Sequence, residues 1–243
     1  MLKTLILSAA AAGVAAGLLT AALQHVTTTP IIVEAETYEG GGATIGHDHA
    51  ASARPEDMGA VVATHDAAAA SEDAVWAPAD GMERTFYTSL ATIVMGVGFS
   101  LMLLGAMVVA GIRVDWRSGL AFGVAGFAAV ALAPALGLPP EIPGSGAAEL
   151  SDRQLWWAFA AVATAGGLAA LLLVGHVAVR VAGVLLIALP HIVGAPHPEA
   201  YQSTAPAELA GHFAAASLVV TAVFWAVLGS ASGALYARLS EKT

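Results

Sequence analysis

Residues 155–193 read LWWAFAAVATAGGLAALLLVGHVAVRVAGVLLIALPHIV, and whether they cross a membrane once or twice decides the fold. A transmembrane helix needs roughly 20 apolar residues. Divided at Gly175, the stretch gives two candidates, 155–174 and 176–193. The second is short, with Arg180 near its start and Pro190 near its end. Arg180 can extend its side chain toward the headgroups, and Pro190 falls in the final turn, where a missing N–H costs least.

Four further apolar stretches lie outside this one, at residues 5–23, 86–110, 119–136 and 210–237. With the amino terminus inside, six spans put Lys3, Arg113, Arg117, Arg180, Arg238 and Lys242 in the cytoplasm. Only Arg54, Arg84 and Arg153 then lie outside, in agreement with the positive-inside rule at every short loop. Five spans, the alternative obtained by merging 155–174 with 176–193, would throw Arg238 and Lys242 outside. The expected fold class is therefore all-α: a polytopic transmembrane bundle of six spans, forming one integral membrane domain over residues 1–243. The first stretch also fits a cleaved signal, since Lys3 precedes an Ala-rich run, but its length favours a retained helix.

Composition agrees with lipid as the solvent. Apolar residues make up 58% and charged residues 11% of the 243, and mean hydropathy is +0.76, too little charge to keep a soluble domain dispersed. A net charge of −9 with no basic stripe argues against nucleic acid as a partner. Without cysteine there are neither thiolate metal sites nor disulfides. The pairs Gly13/Gly17, Gly119/Gly123 and Gly229/Gly233 have the spacing that lets helix backbones approach closely. Trp76, Trp156 and Trp157 fall near proposed outer boundaries, where interfacial aromatics belong.

The two sides differ in chemistry. Sixteen of the eighteen acidic residues and seven of the eight histidines fall outside, with His176 the exception. Residues 25–84 form the one long outer segment, expected as a flexible extracytoplasmic loop rather than a separate domain. Within it His47 and His49 point to the same face of an extended chain, with His65 further on. Imidazole and carboxylate together suit a borderline divalent ion such as Co²⁺, Ni²⁺, Zn²⁺ or Cu²⁺. A second cluster is expected at helix ends. Leu189-Pro190-His191-Ile192-Val193-Gly194-Ala195-Pro196-His197-Pro198 stops a helix abruptly and holds the following backbone extended. His191, His197, Glu34, Glu36 and Glu141, with His25 and His212 nearby, are the candidate ligands of a mouth at that end.

Several motifs together resemble the CbtA family, the membrane subunit of a predicted bacterial cobalt transporter. They are Glu34-Ala35-Glu36 with Tyr38-Glu39, and Asp80-Gly81-Met82-Glu83-Arg84-Thr85. Further along come Ala133-Pro134-Ala135-Leu136-Gly137-Leu138-Pro139-Pro140-Glu141, Arg153-Gln154-Leu155-Trp156-Trp157, and Leu189-Pro190-His191 with Gly194-Ala195-Pro196. The resemblance implies cobalt uptake linked to cobalamin synthesis in a bacterial inner membrane. It also implies a small single-span, histidine-containing (CbtB-like) partner, and family descriptions give five spans rather than six.

The expected function is a permease subunit, not an enzyme, for a divalent metal captured at an acidic, histidine-bearing outer face. That metal is its cargo, with no permanently bound cofactor. No Gly-x-x-x-x-Gly-Lys-Ser/Thr loop exists for ATP. The alternatives are a haem-binding membrane oxidoreductase using helix-end histidines as axial ligands, and a metal-binding scaffold or sensor without transport.

Overall fold

The computed structural model describes residues 2–41, 78–79, 81–200 and 203–241. These form seven helices: α1 (Leu2–Val26), α2 (Thr28–Gly41), α3 (Met82–Val109), α4 (Trp116–Ala135), α5 (Leu150–Leu173), α6 (Val177–Val193) and α7 (Ala207–Ser240). α1 packs on α3 and α7, α4 packs on α7, and α6 packs on α5. The chain is an all-α bundle of membrane-crossing helices.

Helix α1 is turned small side inward. In α1 the buried positions are Thr4, Ser8, Ala9, Ala12, Gly13, Ala16, Gly17 and Thr20, recurring every three or four residues. Leu2, Ile6, Leu7, Val14, Leu18 and Leu19 face outward. Water would demand the reverse. In lipid the tails are as apolar as leucine, so helices associate by close backbone contact, and small residues collect at the seams. A Cβ placed on Gly13 would lie 2.4 Å from the Val97 backbone. Gly119 and Gly123 meet Gly229 and Gly233, so two of the small-residue pairs visible in the sequence are each other's partners. Gly167 and Gly183 close the α5–α6 seam in the same way.

Larger side chains fill the centre. Leu103, Phe224, Trp225 and Leu228 cluster around Ala16, and the Phe99 ring lies 4.8 Å from that of Trp225. Ser100 and Ser232 hydroxyls are 2.6 Å apart between α3 and α7. Since Ser232 donates to the Leu228 carbonyl, Ser100 donates to Ser232.

Residues 155–193 are two helices, not one. α6 turns back along α5, with Gly183 against Gly167 and Pro190 beside Trp156. Five of the six helices in the bundle are long and apolar enough to cross a bilayer. The remaining one, α6, has 17 residues, or about 26 Å at 1.5 Å per residue, just short of a 30 Å hydrocarbon core. The merged alternative is thereby removed, while the five-span figure survives as the number of full-length helices.

The segment expected as a loop from residue 25 begins differently. Residues Thr28–Gly41 form helix α2, with Pro30 in the first turn, where its missing N–H is harmless. Ile31 and Ala35, one turn apart, bury against Ile142, Ala205, Leu209 and Phe213. α7, at 34 residues, is about 51 Å long and outruns the hydrocarbon, giving α2 a wall to rest on. The segment's other end is helical too, because α3 starts at Met82. Residues 42–77, which include His47, His49, His65 and Trp76, lie outside the described residues.

Gly229→Ala would push a methyl to 2.2 Å from the Gly119 carbonyl oxygen and 2.9 Å from Gly123 Cα. Both neighbours are backbone, so α4 and α7 must separate, at a cost of about 1–3 kcal/mol. A lowered unfolding midpoint in detergent is the expected readout. Gly98→Ala, whose methyl meets open space, should leave the midpoint unchanged or slightly raised.

Candidate metal-capture site

One end of the bundle carries the charged groups singled out by the sequence, and arginines hold two of them. The Glu36 carboxylate accepts from Arg84 Nη2 at 2.5 Å and Nη1 at 3.1 Å, a two-pronged pair that fastens α2 to the start of α3. Hydrogen bonding from Arg84 keeps the Glu36 carboxyl below its ordinary value, partly opposed by desolvation. Glu141 accepts from Arg153 Nη2 at 2.7 Å. Nearby, Gly144 turns with φ 76°, and a Cβ there would strike Thr204 Oγ1. The Thr204 N–H donates to the Gly144 carbonyl, tying this loop to the start of α7.

Beside Glu141 opens a cleft of about 660 Å³ between α4, α5 and α7. Glu141, Arg153, Gln154, Ser217 and Thr221 supply its polar lining, and Val130, Ala131, Pro134 and Trp157 its apolar walls. α4 is irregular where it forms the wall. Residues Ala128–Leu132 adopt a π-turn, and the Ala133 N–H donates to Ala128 rather than to Ala129. The donor that would serve Ala129 in π register is Pro134, which has no N–H. The Ala129 carbonyl is thus left without either regular helical donor. Such breaks are tolerated at membrane depth only against protein or a water-filled cavity. Arg153 Nε, buried and without a hydrogen-bond partner, is a second unsatisfied polar atom in this region.

His191 sits where the proline-rich sequence predicts, in the last turn of α6. Its half-buried ring stands edge-on to Trp156, with centroids 6.1 Å apart at 72°. The Trp156 indole N–H donates to the Pro190 carbonyl at 3.3 Å, and the Gly194 N–H donates to the same oxygen at 3.0 Å. Gly194, at φ 88°, then reverses the chain. Trp156 is therefore a buried packing residue, not an interfacial one, whereas Trp157 is 43% exposed. The haem alternative needs two imidazoles face to face; the ring beside His191 is an indole.

The remaining candidates are spread out. Glu34 and His197 are exposed, as are His25 and His212. His176 precedes α6 at the opposite end. Among the described residues no three of His, Cys, Asp and Glu come together closely enough to hold a metal. Instead of one ligand set, the structure gives two arginine-paired carboxylates, Glu36 and Glu141, and a separate imidazole. The sequence reading missed the arginines as carboxylate partners and missed the π-turn. Pro134 inside an apolar run was the available signal for the turn, because a proline there must free a carbonyl.

A family model described as "Probable cobalt transporter subunit (CbtA)" matches residues 2–237, nearly the whole chain. The chain belongs to that family. No curated protein and no solved structure matches it.

The Glu36–Arg84 pair is about one-third exposed on both sides, so screening leaves it worth about 0.5 kcal/mol. Because Glu36 is lowered from 4.5 in the fold, its contribution is complete above that value and fades as pH falls through the lowered one. Spin labels on α2 and on the first turn of α3 should hold one distance at neutral pH, and that distance should broaden modestly as pH falls below 4.5 through the lowered value. In Arg84→Gln the broadened distance should already be present at pH 7.

Proposed function

We propose that this CbtA-family subunit takes up a divalent transition-metal ion, cobalt foremost, through the end of the bundle that carries α2 and Glu141. Membership in a family of cobalt-transporter subunits supports metal transport as the role. The distribution of basic residues supports a bacterial inner-membrane protein with both termini cytoplasmic and α2 outside. Acidic residues on the outer face would concentrate cations there, an effect that salt weakens.

The observation that carries the proposal is the cleft between Glu141 and the π-turn of α4. It joins Glu141 to the irregular stretch of α4 inside the helix layer, where Val130, Ala131 and Pro134 form its wall and Ser217 and Thr221 add hydroxyls. Arg153 pairs with Glu141 and Arg84 with Glu36. An arriving dication competes with the guanidinium for the same oxygens, so capture and release of the carboxylate are a single exchange. His191, His197, Glu34 and the His47/His49/His65 segment are proposed as further ligands along the approach. A small single-span, histidine-bearing (CbtB-like) partner would deliver the ion or complete the site. Inward movement of a double charge gains about 4.6 kcal/mol per 100 mV, sufficient for accumulation without nucleotide.

Liposomes containing the chain, with and without the partner and with an imposed inside-negative potential, should accumulate Co²⁺. Glu141→Gln should lower the initial rate about tenfold, the loss typical of a weakened metal site, and His191→Ala should lower it as well. Unchanged rates in both variants would remove the cleft from the path. Metal binding without flux would favour the scaffold or sensor role instead.

A further inference from the structure

A second cleft, of about 520 Å³, opens sideways between α3, α4 and α5. Among the described residues the backbones of α3 and α5 stay apart, so α4 forms its floor, with Ala121 and Ala125 there and Met102 and Ala169 on the walls. It runs from Ile112 and Ser118 at one end of the bundle to Val130 and Trp225 in the middle. Along α4, from Ser118 to Val130, that is roughly 18 Å at 1.5 Å per residue. One leaflet's share of the hydrocarbon is about 15 Å, whereas a spanning helix needs the full 30 Å. The cleft has the length of an acyl chain and is too short to seat a transmembrane helix.

Its open end is basic. Arg113 follows Ile112 and Arg117 precedes Ser118, both exposed. Neither guanidinium forms an ion pair among the described residues, Arg117 lying over the Trp116 ring at 5.3 Å. On the opposite wall, Leu173 is followed by Val174, whose carbonyl accepts from Arg180 Nε at 2.9 Å. The terminal nitrogens of Arg180 stay available. Asp115 lies between Arg113 and Arg117, but its carboxylate is engaged by the backbone N–H groups of Arg117 and Ser118 and offsets only one of three charges.

We propose that this cleft holds an acyl chain of an anionic phospholipid, with the lipid phosphate bound by Arg113, Arg117 and Arg180. Basic pockets between transmembrane helices are suited to anionic headgroups. The apolar channel beneath supplies what a free phosphate could not use.

The test is native mass spectrometry of the full chain, after equilibration in detergent with equal amounts of phosphatidylglycerol and phosphatidylcholine. The expected result is retention of phosphatidylglycerol over phosphatidylcholine by about tenfold. The triple variant R113A/R117A/R180A should bring the ratio near one. Arg117→Ala alone should lower it partway and serves if the triple variant fails to fold. Ala169→Phe, which fills the channel at an exposed wall position, should reduce retention of either lipid. Equal retention of both lipids by the unaltered chain would overturn the proposal. So would a preference untouched by the arginine changes, or a thermal shift reproduced by inorganic phosphate alone. A bound polypeptide displaced by Ala169→Phe, with no lipid present, would assign the cleft to a partner and overturn it equally.

Discussion

At Gly13 against Val97, at Gly119 against Gly229, and at Gly167 against Gly183, helix backbones meet with no side chain between them, and the rest of the structure follows from those contacts. Lipid offers no gain for burying leucine, so the helices are held by dispersion at close range and by a few hydroxyl bonds such as Ser100 to Ser232. At the α1 seam the large apolar residues are left for the outside, so that α1 exposes Ile6, Leu7 and Leu18 while burying alanine and glycine.

Seams made of backbone leave little room for polar side chains between helices. Charge is therefore displaced to the ends, where Glu36 and Glu141 are each neutralised by an arginine. Inside the helix layer the regular pattern breaks in α4, where Pro134 and the π-turn leave Ala129 without a regular donor and Val130, Ala131 and Pro134 line the Glu141 cleft. A transported cation needs oxygen ligands and a way past the apolar layer, and here a carboxylate at the bundle end and an irregular helix backbone adjoin one cleft. Hydrogen bonding from Arg84 favours the charged form of Glu36.

Much of this was legible in the sequence. Residues 155–193 carry their own division at Gly175 and Arg180, and the two helices of the structure follow it. Gly119/Gly123 and Gly229/Gly233 were recognisable as contact surfaces, though not as partners of one another, because spacing identifies a face and not what covers it. Residues 31–36 read as a continuation of the first helix, but a separate α2 was not legible, because the wall that buries Ile31 and Ala35 lies more than a hundred residues away in Ile142, Ala205 and Leu209. The arginine partners were hidden for a related reason. Glu36 and Arg84 are 48 residues apart, and only the antiparallel return of α3 beside α1 joins them. His191 was found from the prolines around it, but its neighbour Trp156 belongs to a different helix.

α6 has a position unlike any other helix in the bundle. It is 17 residues long, and among the described elements it rests on α5 alone. A helix a few ångströms shorter than the hydrocarbon forces the surrounding lipid to thin or its own ends to be drawn inward. The Gly167–Gly183 contact and the Trp156–Pro190 hydrogen bond hold α6 in register on α5, so the mismatch falls on the lipid beside it. A thinner bilayer relieves that mismatch, so the lipid composition of the membrane bears on how this edge of the bundle is seated.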